Sequence, residues 1–355
     1  MIKQTRTLAT KLTRFQPLSK LGKSNSMTKA ARIEKSRSGD GPRISIVTPS
    51  LNQGEFIEEN ILSVRHQDFP EFEHLVIDGG STDATLEVLR KYPHLTVVSE
   101  KDRGQADALN KGFRLARGAW IGWLNADDFY LPGALRALAG VVGRPDPPDA
   151  VYGDYFVVDR ESRVTKVHRT LACDRRMLTY LGAYLPTSGS LFSRKIVEEG
   201  LFLDPEYRYS LDGEFYCRLL ERKKRIARIP RFLNCFRQHP EAQSARVLFT
   251  RDPAARRKIA DEMRAEREKT RKRYGLKIFP GDRANAGVHR VLSRYYQFSY
   301  LARQVRNGHY RLRWEAGRGW ELYGMNLSPR DRRGWEKSLP FIRKFSRAEE
   351  TAGGA

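Results

Sequence analysis

The chain has 355 residues, 40% of them hydrophobic, enough to bury a substantial core and to exclude disorder throughout. Its 65 Lys and Arg against 42 Asp and Glu leave a net charge of +23, which favours anionic partners: nucleic acid, a phospholipid surface or phosphorylated metabolites. No apolar run approaches the ~18–20 residues that span a bilayer, and Cys173, Cys217 and Cys235 lack metal-ligand or redox spacing, so a reducing interior without disulfides fits best.

Residues 1–42 read as a basic, disordered leader: residues 1–43 carry eleven Lys and Arg against Glu34 and Asp40, with few large apolar side chains. A targeting segment is the alternative, because the early part lacks acids, and Met27 offers another start.

Residues 43–245 alternate strand and helix. "RISIVTPS" is a short apolar run, and Ile57, Ile61 and Val64 then repeat at helical spacing. "HLVID" is a second strand, followed by "TDATLEVLRKY", a helix that Asp83 would cap. "LTVVSE" is a third strand; the helix after it sets Ala106, Leu109, Phe113 and Ala116 on one face. "AWIGWLNA" is a fourth, and "PGALRALAGVV" a helix entered through Pro132. Beyond residue 150, "DAVYGDYFVVDR" and "RVTKVHRT" form an antiparallel pair, and "YLPTSGSLFSRKIVEEG" reads as loop, strand and short helix. "SLDGEFYCRLLERKK" is a helix with Phe215, Leu219 and Leu220 inward, and "RIARIPRFLNCFRQH" returns as a strand. This predicts an α/β domain with a mixed, mostly parallel sheet between helices.

Residues 246–355 form a basic helical C-terminal extension. Its first helix stops at Gly275, and "HRVLSRYYQFSYLARQVRNGHYRLRWEAGRGW" mixes aromatic and basic residues. It is read either as a solvated appendage or as a peripheral anionic-membrane surface.

Ligands of such sheets bind beyond the carboxyl ends of the strands. Here those ends are polar: Pro49 to Asn52, Asp78 to Ser81, Glu100 to Gly104, and Asn125 to Asp128. The adjacent carboxylates Asp127 and Asp128 repel one another and call for a cation, and hard oxygen ligands suit Mg²⁺ or Mn²⁺ with substrate phosphates. Lys101, Arg103 or Arg231 would assist a leaving diphosphate, and helix capping is the plainer alternative for Asp128. Asp78, before Gly79 and Gly80, suits either a base or ribose contact or an Asx-turn.

The segments "ISIVTPSLNQGEFIEENILSVRHQ", "LVIDGGSTDATLEVL", "EKDRGQADALNKGFRLARGAWIGWLNADD" and "SLDGEFYCRLLERKKRIARIP" together resemble the family 2 glycosyltransferases of GT-A (Rossmann-like) fold. The resemblance implies inverting, hexosyltransferase-like transfer from a nucleotide-sugar donor with a divalent metal. It puts nucleotide contacts on Pro49, Ser50, Asn52, Asp78 and Asp102, and the D-x-D motif on Asn125, Ala126 and Asp127, with Asp127 the metal ligand. On this resemblance Asn125 can still bond a ribose hydroxyl. Asp212 is implied as catalytic base, with Glu214 in reserve, and His239 as a group near metal or diphosphate. Thr187, Ser188 and Gly189 stand where an acceptor is expected, with Tyr152, Asp154 and Tyr184 as weaker candidates. Three positions depart from the family pattern: Asn125 lacks charge, Gly79 replaces an acid, and Leu109 replaces an arginine.

The expected acceptor is a carbohydrate or lipid-linked hydroxyl, in polysaccharide or glycolipid synthesis at the cytoplasmic membrane face. The competing classes are a nucleic-acid-binding protein, disfavoured because the strand-end rim is acidic, and a catalytically silent relative that binds through its basic ends.

Overall fold

The computed structural model describes residues 43–243, 246–279, 282–306, 310–315 and 319–324. The predicted leader at 1–42 and the chain beyond 324 lie outside the described residues. The strands are β1 (Ile44–Ser50), β2 (Phe72–Asp78), β3 (Thr96–Ser99), β4 (Trp120–Trp123), β5 (Phe129–Tyr130), β6 (Ala150–Val158), β7 (Val164–His168), β8 (Ser190–Ser193) and β9 (Ile226–Arg237). They form one mixed sheet in the order β3-β2-β1-β4-β8-β6-β9-β5, with β7 paired to β6. The first four are mutually parallel, and β8 turns the sheet antiparallel against both β4 and β6.

Register explains the common rim. Ser50 on β1 stands opposite Asp78 on β2, and Asp78 opposite Ser99 on β3. Val47 pairs with Trp123, so Asn125 emerges two residues past the end of β4. Antiparallel β8 starts at this same end, since Trp123 faces Ser190, and the preceding Thr187–Gly189 loop therefore borders Asn125. Strand β9 ends there too: Phe129 and Tyr130 of β5 pair with Cys235 and Asn234, which carries His239 back to Asp127.

The helices α1 (Ile57–Arg65), α2 (Thr85–Arg90), α3 (Gln105–Leu115), α4 (Ala134–Val142), α5 (Arg175–Leu181), α6 (Arg194–Glu198) and α7 (Leu211–Glu221) belong to this α/β unit. The helical face of Ala106, Leu109, Phe113 and Ala116 is buried as expected. Gly112 lets α3 lie directly on β1, because a Cβ there would stand 2.3 Å from Val47 Cγ1. Three local expectations differ. Ala84 is the N-cap of α2, although Asp83 still accepts the Thr85 N–H at 3.0 Å. Helix α4 begins after left-handed Gly133, so Pro132 lies outside it. Leu220 is half-buried, not core.

Beyond residue 245, α8 (Arg246–Phe249), α9 (Pro253–Tyr274) and α10 (Asp282–Arg306) are helical, and α9 is followed by Gly275 as predicted. Tyr274 and Tyr296 enter the main hydrophobic cluster, with Tyr296 stacked on Tyr180 at 5.5 Å. Helix does not continue through Trp320. Residues Tyr310–Glu315 (β10) and Gly319–Gly324 (β11) make an antiparallel hairpin. Tyr310, Leu312 and Trp314 alternate with charged residues in the sequence, a strand period that overrides the helical reading.

Candidate active site

A cavity of about 630 Å³ opens at the strand-end rim. Of the predicted residues, Pro49, Ser50, Asp102, Asn125, Asp127, Thr187 and Asp212 line it, together with Arg103. Gln53, Gln105, Trp123, Tyr207, Arg208, Tyr209, Phe236, Glu241 and Gln243 line it as well and were not read from the sequence. Gln105 opens α3 and the others sit in turns or on strands whose order decides what faces the opening, and no local period marks them.

The turn bearing Asn125, Asp127 and Asp128 is held from three sides. From α1, Asn60 Nδ2 donates to the carbonyls of Asn125 (2.8 Å) and Asp128 (2.9 Å). From β9, Arg237 Nε donates to the Asp127 carbonyl at 2.9 Å, and its backbone N–H to Asp128 Oδ1 at 2.9 Å. The Arg237 guanidinium also binds Glu59 and the carbonyls of Asp159 and Arg160, so this buried cation is fully partnered. From the loop before β8, Ser188 Oγ donates to Asp128 Oδ2 at 2.5 Å. Burial and the neighbouring Asp127 push the Asp128 carboxyl well above the usual carboxylate range. Asp128 is therefore a scaffold of the turn, and it does not cap α4, whose N-cap is Gly133.

Asn125 is fitted to this setting. Its Oδ1 accepts from Trp123 Nε1 (2.7 Å) and Gln105 Nε2 (2.9 Å), while Nδ2 donates to Asp128 Oδ2 at 3.2 Å. An aspartate would lose that last bond and add a charge beside a buried acid. The other two departures from the family pattern also have steric or electrostatic causes. A Cβ on Gly79 stands 2.5 Å from Asp102 Oδ2, and Leu109 is fully buried, where an arginine would bury an unpaired charge.

Asp127 Oδ2 lies 3.1 Å from His239 Nε2, and His239 Nδ1 lies 3.0 Å from Glu241 Oε2. Burial lowers the His239 pKa, but the two carboxylates outweigh it and hold the ring above its ordinary value. His239 itself is buried and reaches the cavity only through Asp127 and Glu241.

Asp212 stands in the first turn of α7 without capping it, since Ser210 is the N-cap. Its Oδ1 accepts the Gly213 N–H at 2.7 Å. Burial pushes its carboxyl up to about 6 against the pull of that N–H. Glu214, the reserve candidate, is fully buried and turned to Arg218 (2.9 Å) and the Tyr274 hydroxyl (2.6 Å).

Other candidates hold structure together. Asp78 is fully buried, accepting from Ser81 Oγ (2.5 Å), Ser99 Oγ (2.7 Å) and two backbone N–H groups; this is the Asx-turn arrangement. Asn52 adopts φ 52° and closes a turn by accepting the Thr82 N–H at 2.9 Å. Tyr152 bonds the Leu171 carbonyl, Tyr184 the Ala172 carbonyl, and Asp154 pairs with Arg228 at 2.8 Å. Gly189 packs on Asn234 and Ser188 lies behind Asn125. Lys101 and Arg231 are exposed and do not line the cavity.

Ser50 Oγ and Gln53 Oε1 are buried at the cavity without a hydrogen-bond partner, an arrangement a bound polar ligand would complete. No cluster of three or more His, Cys, Asp and Glu with metal-ligand geometry occurs among the described residues. Asp127 supplies one carboxylate at the cavity, which fits a hard cation that takes its remaining ligands from substrate phosphates and water, while both ring nitrogens of His239 are already engaged.

Comparison with known proteins gives a consistent outcome. Residues 45–201 match the family model described as glycosyl transferase family 2. A PGL/p-HBAD biosynthesis glycosyltransferase of Mycobacterium bovis is 36% identical over 122 residues, 33% of this chain and 48% of that protein. Chondroitin synthase of Escherichia coli is 31% identical over 140 residues, 38% of this chain and 20% of that protein. The chain thus spans about half the length of the mycobacterial relative and a fifth of the length of chondroitin synthase. Among solved structures, S. aureus TarS 1–349 in complex with UDP-GlcNAc aligns with TM-score 0.49 and 19% identity, over 81% of this chain and 98% of that one. Asp212 and His239 fall beyond the matched family segment.

Proposed function

With a family 2 glycosyl transferase domain at residues 45–201 as premise, we propose that the chain transfers a sugar from a nucleotide-diphosphate sugar to a hydroxyl acceptor with inversion. The observation that supports this most is that Asp127 and Asp212, 85 positions apart in sequence, line one cavity. Pro49, Ser50, Gln53 and Asp102 would hold the nucleotide. Asp127, with His239 behind it, would hold Mn²⁺ or Mg²⁺, and the metal when bound neutralises charge developing on the departing diphosphate. Glu241 beyond the ring would fix the orientation in which His239 supports Asp127.

Asp212 acts on the acceptor. Its free oxygen takes the hydroxyl proton while the acceptor oxygen bonds to the anomeric carbon; the carbon–oxygen bond to the diphosphate breaks and the nucleoside diphosphate leaves with that electron pair. A carboxyl titrating at about 6 is ionised at neutral pH and still more basic than an exposed aspartate. A thermal-shift screen of nucleoside diphosphates and nucleotide sugars, with and without Mn²⁺, tests the reading, because a ligand of the folded state raises its melting temperature. A flat response to every nucleotide in the presence of metal would overturn it.

The same reading has the enzyme work peripherally at an anionic cytoplasmic membrane face, where a lipid-linked or growing polysaccharide acceptor is presented. No described helix is long and apolar enough to cross a membrane. Val291, Tyr295 and Phe298 are exposed at helical spacing on α10 beside exposed Arg290 and Arg294, and Leu276, Ile278 and Phe279 are exposed just before it. Such an aromatic-basic face suits acidic headgroups. Co-sedimentation with phosphatidylserine vesicles but not with phosphatidylcholine vesicles is expected; no binding to either at low salt counts against it.

A further inference from the structure

Helix α9 lies outside the matched family segment, and its sequence is dominated by charge. Glu262, Glu266, Thr270 and Tyr274 recur at i+4 spacing on one face. All four meet the stretch that leads into and through the start of α7. Glu266 Oε1 accepts the Arg208 N–H at 2.8 Å, and Oε2 accepts the Tyr209 and Ser210 N–H groups, each at 2.9 Å. Three successive amides converging on one carboxylate form an anion-binding nest, filled here from within the chain. Glu262 accepts the Tyr209 hydroxyl at 3.1 Å, Thr270 donates to the Tyr207 hydroxyl at 3.4 Å, and Tyr274 donates to Glu214 at 2.6 Å. Ion pairs from Lys269 to Glu206 and from Arg273 to Asp204 flank the contact.

The stretch so held is a wall of the site. Tyr207, Arg208, Tyr209, Leu211 and Asp212 all line the cavity, and Ser210, the last amide in the nest, is the N-cap of α7. The backbone from which Asp212 projects is therefore fixed by a side chain 54 positions downstream. Such a base must meet its proton within hydrogen-bond reach, and a displacement of about 1 Å costs on the order of 100-fold in rate.

We propose that Glu266 is a positioning residue for transfer, latching the Arg208–Ser210 backbone so that Asp212 meets the acceptor hydroxyl. The inference rests on the glycosyl-transfer reading above. The Glu266 charge also adds, after burial, to the upward push on the Asp212 carboxyl, in keeping with the closeness of the two groups. Helix α9 is on this account a part of the active site.

The test uses the full chain with Glu266→Ala and Glu266→Gln, reading turnover against the affinity for UDP or GDP with Mn²⁺, whichever the thermal screen selects. The alanine variant should lose roughly 10- to 100-fold in kcat with diphosphate affinity changed by less than about twofold. The glutamine variant, whose single carbonyl serves only part of the nest, should fall between it and the wild type. Alanine-variant turnover within about twofold of wild type, or a loss of diphosphate affinity that parallels the loss of kcat, would overturn the assignment. Amide exchange on the unmodified protein reads the latch without relying on any variant's folding. Protection at Arg208, Tyr209 and Ser210 is expected, and free exchange there refutes the proposal. A wild type that protects these amides yet turns over no nucleotide sugar would instead refute the transfer reading, a separately recognisable failure.

Discussion

Replacing Asp212 by Asn should make the protein both inactive and more stable, a combination that a purely structural aspartate would not give. The shape of the side chain is kept, and the Gly213 N–H retains an oxygen to donate to. What disappears is a carboxylate whose pKa burial raises from 3.8 to about 6. A rise of that size corresponds to about 3 kcal/mol at most. The sign follows from proton binding. The folded state holds the proton more tightly than the unfolded chain, so the penalty is absent below about 3.8, grows as pH rises to about 6, and is complete above. At pH 8 the Asn variant should therefore melt several degrees higher than the wild type, on the order of 2–4 °C per kcal/mol for a chain of this size or somewhat smaller. At pH 3.5 the two should coincide. Turnover should meanwhile fall by roughly 10² to 10⁴, the usual worth of a general base, with donor binding by calorimetry unchanged. Full turnover in the variant would refute the base assignment, and a lower melting temperature at pH 8 would refute the account of why its pKa is raised.

Asp127→Ala should abolish the gain in donor affinity that Mn²⁺ brings, measured by calorimetry with and without the metal, and leave the metal-free affinity almost unchanged. In the wild type, kcat/KM should rise about tenfold per pH unit below about 6 and level off above it, since only ionised Asp212 accepts a proton; a limb centred near 4 would contradict this. Asn125→Asp removes the donor to Asp128 and places a second charge against it, so a loss of about 1–3 kcal/mol in denaturant melts at neutral pH is expected. Gly79→Ala should displace the Asp102 carboxylate, 2.5 Å from the new Cβ, and weaken nucleotide binding in the same calorimetric assay.

Much of the α/β unit was legible because element type is a local property. Buried residues at Ile57, Ile61 and Val64 mark a helix, and short, largely apolar runs within Ile44–Ser50 and Phe72–Asp78 mark interior strands, whatever the rest of the chain does. The polar endings of those strands, and hence the rim, follow from the same reading. Asp127 belongs to that rim, whereas Asp212 is reached only through the family resemblance.

The sequence could not display partnerships between polar residues far apart in the chain. Asn60 and Ser63 are polar positions on the buried face of α1, and Gln67 follows its end, yet Asn60 clamps the Asn125–Asp128 turn and Gln67 bonds the Leu131 carbonyl. His239 meets Asp127 only because β9 lies between β6 and β5, and Asp78 turns its carboxylate inward only because Ser81 and Ser99 supply hydroxyls there. Helix α9 reads as a solvated, charged segment because its working face is polar, and polar faces carry no hydrophobic period. Periodicity records which side of an element leaves water, a choice each segment makes from its own composition. Which carboxylate meets which amide is decided by strand order and register, so the rim belonged to the sequence, while the latch on Asp212 and the scaffold beneath Asp127 belonged to the tertiary structure.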